Sequence, residues 1–114
     1  VELPTSNTVA RRRGKEAERA VARKLGGQRV GNTGRATCDV RAGRLAVECK
    51  ARKALPSWLV DAVSQAHANA APGQLAVVVL HETGQRYDDA LVVVRLSEWH
   101  EWYGELALPE ASHA

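Results

Sequence analysis

From Leu75 to Leu80 every residue is apolar, and the pattern returns from Ala90 to Val94. A run of this kind belongs to a strand covered on both faces, and a strand so covered needs helices around it. The chain supplies helical periodicity on either side. Ala17, Val21 and Leu25 fall on one face of a helix over about residues 10–25, with Ala20 beside them. Leu59, Val63, Ala66 and Ala70 share a stripe on a second helix, which Pro56 suits in its first turn. Gly26-Gly27 stops the first helix and Pro72-Gly73 the second.

Three shorter strands complete the pattern. Gln28 to Val30 reads as one, followed by the loop Gly31-Asn32-Thr33-Gly34. About Ala36–Arg41 and Arg44–Ala51 read as an antiparallel hairpin turning at Ala42-Gly43. Ser97 caps a last helix with Glu98 in its first turn, and Trp99, Trp102 and Tyr103 are expected on or near its inner side. The order is helix, three strands, helix, two strands, helix. It predicts an α/β fold with a single mixed sheet of about five strands flanked by helices. At 114 residues this is one domain, over residues 10–114, preceded by a loose polar arm over residues 1–9.

Charge is distributed unevenly. Residues 1–54 hold 14 Lys and Arg against five acids, whereas residues 55–114 hold two against eight. A fold with that asymmetry has a basic side, and a basic side favours a polyanion such as nucleic acid. No apolar run reaches the roughly 18 residues of a membrane span, and residues 1–10 lack the apolar stretch of a secretory signal. An intracellular, cytoplasmic protein with no membrane partner is expected. Two cysteines make no disulfide framework, and with His67 or His81 they match no zinc spacing, so Cys38 and Cys49 read as small core residues. Trp58, Trp99, Trp102 and Tyr103 read as core or interface anchors.

The chemistry is concentrated on the hairpin. Side chains alternate along a strand, so Glu48 and Lys50 share one face while Val47 and Cys49 take the other. Asp39 lies on the neighbouring strand, opposite or diagonal to that pair. Two carboxylates and an ammonium then meet beside apolar strands. Oxygen donors of this kind suit Mg²⁺, and Mn²⁺ is expected to substitute. A cation held by Asp39 and Glu48 can bind a scissile phosphate and acidify a water, with Lys50 orienting or deprotonating that water. The competing reading is a surface salt bridge between Glu48 and a basic residue across the hairpin.

Asp39 followed by Glu48-Cys49-Lys50 resembles the signature of the PD-(D/E)XK nucleases, whose restriction-endonuclease-like fold has the order αβββαββα. More narrowly, the run from Arg13 to Arg19, with Gly14 followed four residues on by Glu18-Arg19, resembles the opening helix of archaeal-type Holliday junction resolvases. The resemblance implies that Glu18 joins the metal site. Glu16, its competitor, lies about 200° away around the helix. Arg29 followed four residues later by Thr33 is similar to the family's Arg and loop hydroxyl ahead of the aspartate. Two positions depart from the family: Cys38 stands where the Pro of the signature is usual, and Thr33 where Ser is.

On this resemblance the main-chain carbonyl of Cys49 completes the set Glu18, Asp39 and Glu48 around the metal. Gln65, on the second helix, supports the site or is an ordinary solvated glutamine. Arg52 and Lys53 grip phosphates near the cut, and Arg11, Arg12, Arg13 and Lys15 grip them further out. Arg29 and Arg35 flank the loop and enter a groove or branch point. The function implied is a Holliday junction resolvase, an endonuclease that makes paired nicks in branched DNA. It implies a homodimer, because a four-way junction needs two cuts on opposing strands. The apolar strands Leu75–Leu80 and Leu91–Val94, or the Trp-bearing last helix, are the candidate interfaces. Two alternatives stay open: a PD-(D/E)XK nuclease acting on flaps, ends or duplex DNA, and a branched-DNA-binding module without chemistry.

Overall fold

A computed structural model describes residues 6–31 and 37–110. The elements run in the expected order: α1 (Ser6–Leu25), β1 (Gln28–Arg29), β2 (Val40–Ala42), β3 (Leu45–Val47), α2 (Ser57–Asn69), β4 (Val78–Leu80), β5 (Leu91–Val93) and α3 (Leu96–Tyr103). Single 3-10 turns occur at Tyr87–Asp89 and Gly104–Ala107. The fold is mixed α/β. In place of a single five-stranded sheet, the strands form two antiparallel ladders, β1-β2-β3 and β4-β5. Two compact units result, one running to Arg52 and taking in the chain from Gly104 onward, the other spanning Lys53–Tyr103.

In the first unit, α1 packs against β1 and β2. It begins at Ser6, four residues before the expected start, because nothing from Ser6 to Arg13 is Gly or Pro. Residues 1–5 of the expected arm lie outside the described residues. The helix ends in a Schellman turn: Gly26 takes φ 67°, its N–H donates to the Arg23 carbonyl at 3.3 Å, and the Gly27 N–H donates to the Ala22 carbonyl at 2.8 Å. Leu25 and Ala22 are buried on the packed face, with Ala17 and Val21 half-buried, whereas Ala20 is exposed. Against them lie Val40 and Ala42, also buried, with Arg41 between them pointing to solvent.

The hairpin is shorter than its sequence suggests. β2 and β3 pair Val40 with Val47, Arg41 with Ala46 and Ala42 with Leu45, and Gly43-Arg44 turn between them. Gly43 takes φ 54°, and the tail after α3 closes over it. The Arg44 N–H donates to the Leu106 carbonyl at 2.8 Å, and Ala107 is buried.

In the second unit, α2 packs against β4. Pro56 precedes its first turn, and the expected stripe of Leu59, Val63, Ala66 and Ala70 is half-buried. The strands β4 and β5 pair for three residues only, and the expectation of cover on both faces is corrected. Val79 and its partner Val92 are 60% and 64% exposed. The aromatic residues of α3 are also less enclosed than expected: Trp99 is half-buried, but Trp102 and Tyr103 are exposed, as is Trp58 on α2.

Candidate active site

Asp39 is fixed by the backbone from both sides. Its carbonyl accepts from the Val30 N–H at 2.9 Å, and its own N–H donates to the Val47 carbonyl at 2.8 Å. Val47 is also the register partner of Val40. Asp39 and Val40 thus face a single residue, the count of a β-bulge, which redirects a side chain out of strict alternation. The redirected carboxylate spans the hairpin, and Asp39 Oδ2 accepts the Cys49 N–H at 2.8 Å. Asp39 therefore meets the backbone between Glu48 and Lys50, closer to the second arm than simple opposition requires.

The second arm keeps its alternation beyond β3. Val47 and Cys49 are half-buried, while Glu48 and Lys50 are exposed. Among the described residues neither Glu48 nor Lys50 forms an ion pair, so the salt bridge that competes with the functional reading is not made there. Both side chains stay available to solvent and to a ligand. Both cysteines are free thiols, half-buried where core positions were expected.

The carboxylate from α1 is Glu18. It sits next to the packed Ala17–Val21 face and is half-buried, whereas Glu16 is exposed. Arg29 on β1 donates from Nε to Glu18 Oε2 at 2.5 Å, with the side chains 31% and 18% exposed. The packing of α1 on β1 brings the two together.

Electrostatics link the elements. Burial pushes the Cys49 thiol above its ordinary range, and the charges of Asp39, Glu18 and Glu48, in that order, push it further. Carboxylates from α1, from the bulge and from the end of β3 thus act on one group. Their donor chemistry suits a hard divalent cation. Asp39 and Glu48 alone are enough protein ligands for Mg²⁺, which keeps waters and takes substrate phosphate as further ligands. Among the described residues no three of His, Cys, Asp and Glu gather around one point, so Glu18 does not close a three-carboxylate cage with them.

The basic residues fall into groups. Arg11, Arg12 and Lys15 are exposed on α1, and Arg13 is half-buried. Arg12, Lys15, Arg19 and Arg23, spaced by three, four and four, form an exposed stripe along α1 about 16 Å long. Arg19 and Arg23 were not among the DNA-binding candidates, although their helical spacing with Arg12 and Lys15 was the signal that would have added them. Arg52 is exposed, its Nη1 donating to the Ala51 carbonyl at 3.0 Å. Thr33 and Arg35 lie outside the described residues. Lys53 and Gln65 are exposed in the second unit.

That unit holds one feature the sequence did not announce. His67 Nδ1, in the last turn of α2, pairs with Glu98 Oε1 of α3 at 2.6 Å, beside an open cavity of about 700 Å³ that Glu101 and Trp102 also line. The two residues are 31 positions apart, and no local pattern connects them. No helix among the described residues is long and apolar enough to cross a membrane. Compared with protein-family models, with curated proteins and with solved structures, the chain matches none significantly.

Proposed function

We propose that the chain is a metal-dependent DNA endonuclease selective for branched DNA, a Holliday junction resolvase acting as a homodimer. The observation that carries the reading is the hydrogen bond from the Cys49 N–H to Asp39, which holds one carboxylate at the backbone between Glu48 and Lys50, neither of them in an ion pair among the described residues. The order of elements, αβββαββα, is that of the restriction-endonuclease-like fold and supports the same reading.

In this reading Asp39 and Glu48 hold the cation, Mg²⁺ or Mn²⁺, with the Cys49 carbonyl. When bound, that cation would supply charge to offset a phosphate and would lower the pKa of a water. Lys50 orients or deprotonates the attacking water, and its ammonium offsets charge gathering on the phosphate. The Cys49 N–H keeps the Asp39 carboxylate in place, so its orientation is set before substrate arrives. The exposed cations of α1 hold the DNA backbone through phosphates, which fixes position without reading sequence.

Binding and cutting separate the roles. Asp39→Ala and Glu48→Ala are each expected to lower junction cleavage about 100-fold or more while leaving junction binding intact, since removing an acid relieves repulsion of phosphate. Normal cutting by either variant in a gel assay with Mg²⁺ overturns the assignment. Binding without chemistry is the second reading. The exposed basic stripe of α1 supports binding by itself, and this reading predicts that wild-type protein binds junctions equally with and without Mg²⁺ and cuts none.

A further inference from the structure

Glu18 and Arg29 were expected to serve different partners, one a metal and the other DNA. In the structure they serve each other. The contact is made by a single donor, Nε, of the five N–H groups that a guanidinium carries. Among the described residues, four donors on Arg29 are left over, and so is the second oxygen of Glu18. A carboxylate only 18% exposed needs a compensating charge, and Arg29 provides it. The guanidinium cannot lose its proton at any ordinary pH, so near neutral pH the pair opens when a cation competes for Glu18 or an anion competes for Arg29.

We infer that Arg29 is a positioning residue that acts as the site's internal cation: it holds Glu18 until a divalent cation takes its place, and its freed guanidinium then turns to a DNA phosphate. The inference rests on the proposed cation site at Asp39 and Glu48. It accounts for two facts at once. Arg29 is the register partner of Val40, the neighbour of Asp39, which puts the Arg29–Glu18 pair beside the proposed site, yet no three-carboxylate cluster is assembled among the described residues. It also makes cation and DNA binding reciprocal, because each favours the state in which the Arg29–Glu18 pair is open.

The test begins with Mn²⁺ titration of the full chain without DNA, comparing wild type with Arg29→Gln. The variant is expected to bind Mn²⁺ about threefold more tightly, the size of effect a partly exposed ion pair has. A DNA-gripping Arg29 leaves that affinity unchanged, and a merely structural one weakens it; either result overturns the inference. Four-way junction binding is then measured with and without Ca²⁺. Wild type is expected to bind more tightly with Ca²⁺, and Arg29→Gln to lose most of that gain. An equal gain in both proteins also overturns the inference. Arg29→Lys keeps the charge but not the guanidinium fork, and is expected to lie between the two. It decides the matter by the same readout if Arg29→Gln does not fold. Asp39→Asn serves as the control on the underlying site. If it binds Mn²⁺ as wild type does, the proposed cation site fails, and the exchange fails with it; if it weakens binding while Arg29→Gln changes nothing, only the exchange fails.

Discussion

The Cys49 thiol reports on its surroundings without taking part in the proposed chemistry. Its thiol is pushed up first by burial and then by Asp39, Glu18 and Glu48. A raised thiol pKa means less thiolate at a given pH, and therefore slower alkylation. At pH 8.5 (about the ordinary thiol pKa), iodoacetamide is expected to modify Cys49 more slowly than a thiol in an unfolded peptide. Asp39→Asn, which removes the largest charge acting on it, should speed that reaction in the folded protein. Peptide mapping by mass spectrometry reads both rates, and an unchanged rate in Asp39→Asn contradicts the convergence of charge. The sign for stability follows from the same shift. The folded thiol holds its proton to higher pH than the unfolded one, so its contribution is full below the unfolded pKa and declines as pH rises through the folded pKa. At this scale the sequence was informative about residue types and poor about partners. That Asp39 meets the arm carrying Glu48 and Lys50 was legible from hairpin spacing alone. The bulge that sends Asp39 to the Cys49 N–H was not, because a bulge leaves no pattern in side-chain alternation. The Glu18–Arg29 pair spans 11 positions and depends on how α1 lies across β1.

Element identities were legible where periodicity was strong. The half-buried stripe of α2 and the glycine stop of α1 follow directly from spacing and from the need for a positive φ after a helix. Strand ends were not legible. Continuous apolar runs promised two long covered strands, but pairing stops after three residues on each, and Val79 and Val92 face solvent. Apolar sequence measures the wish to be buried; register and a covering element decide whether it is. The tail is the other element that sequence undersold. Residues 104–110 carry no marked pattern, yet they close over the β2–β3 turn through Leu106 and the buried Ala107. Gly43 is the tightest point of that closure. A Cβ there would clash with the carbonyl oxygens of Leu108 and Leu106, at a φ that disfavours L side chains. Gly43→Ala is expected to destabilise the fold by about 2 kcal/mol or more, from backbone strain combined with the clash. Urea unfolding measures it, and a loss below about 0.5 kcal/mol, the size of an ordinary surface substitution, contradicts this account of the turn.

The charge asymmetry read from the sequence follows the division of the whole molecule. The first unit carries 13 Lys and Arg against seven acids, and the second carries three against six. The proposed site and the basic stripe of α1 both belong to the first unit. A polyanion bound there releases counterions in proportion to the phosphates neutralised, so binding weakens steeply with salt. Replacing Arg11, Arg12 and Arg13 together by Gln is expected to weaken binding to junction, flap and duplex alike and to flatten the dependence of log affinity on log salt by about one to three. A loss confined to one DNA sequence in a salt-series binding assay contradicts that role. Composition carried this level of description well, because net charge needs no register and no packing.

An end-labelled four-way junction, flap and linear duplex at matched concentration, incubated with Mg²⁺ and either wild-type protein or Asp39→Ala, test the central claim most directly. The account predicts paired, symmetrical nicks near the branch point of the junction, made by wild type and absent with Asp39→Ala. Preferential cutting of flap or duplex contradicts the substrate, and tight binding with no cutting of any of the three contradicts the chemistry.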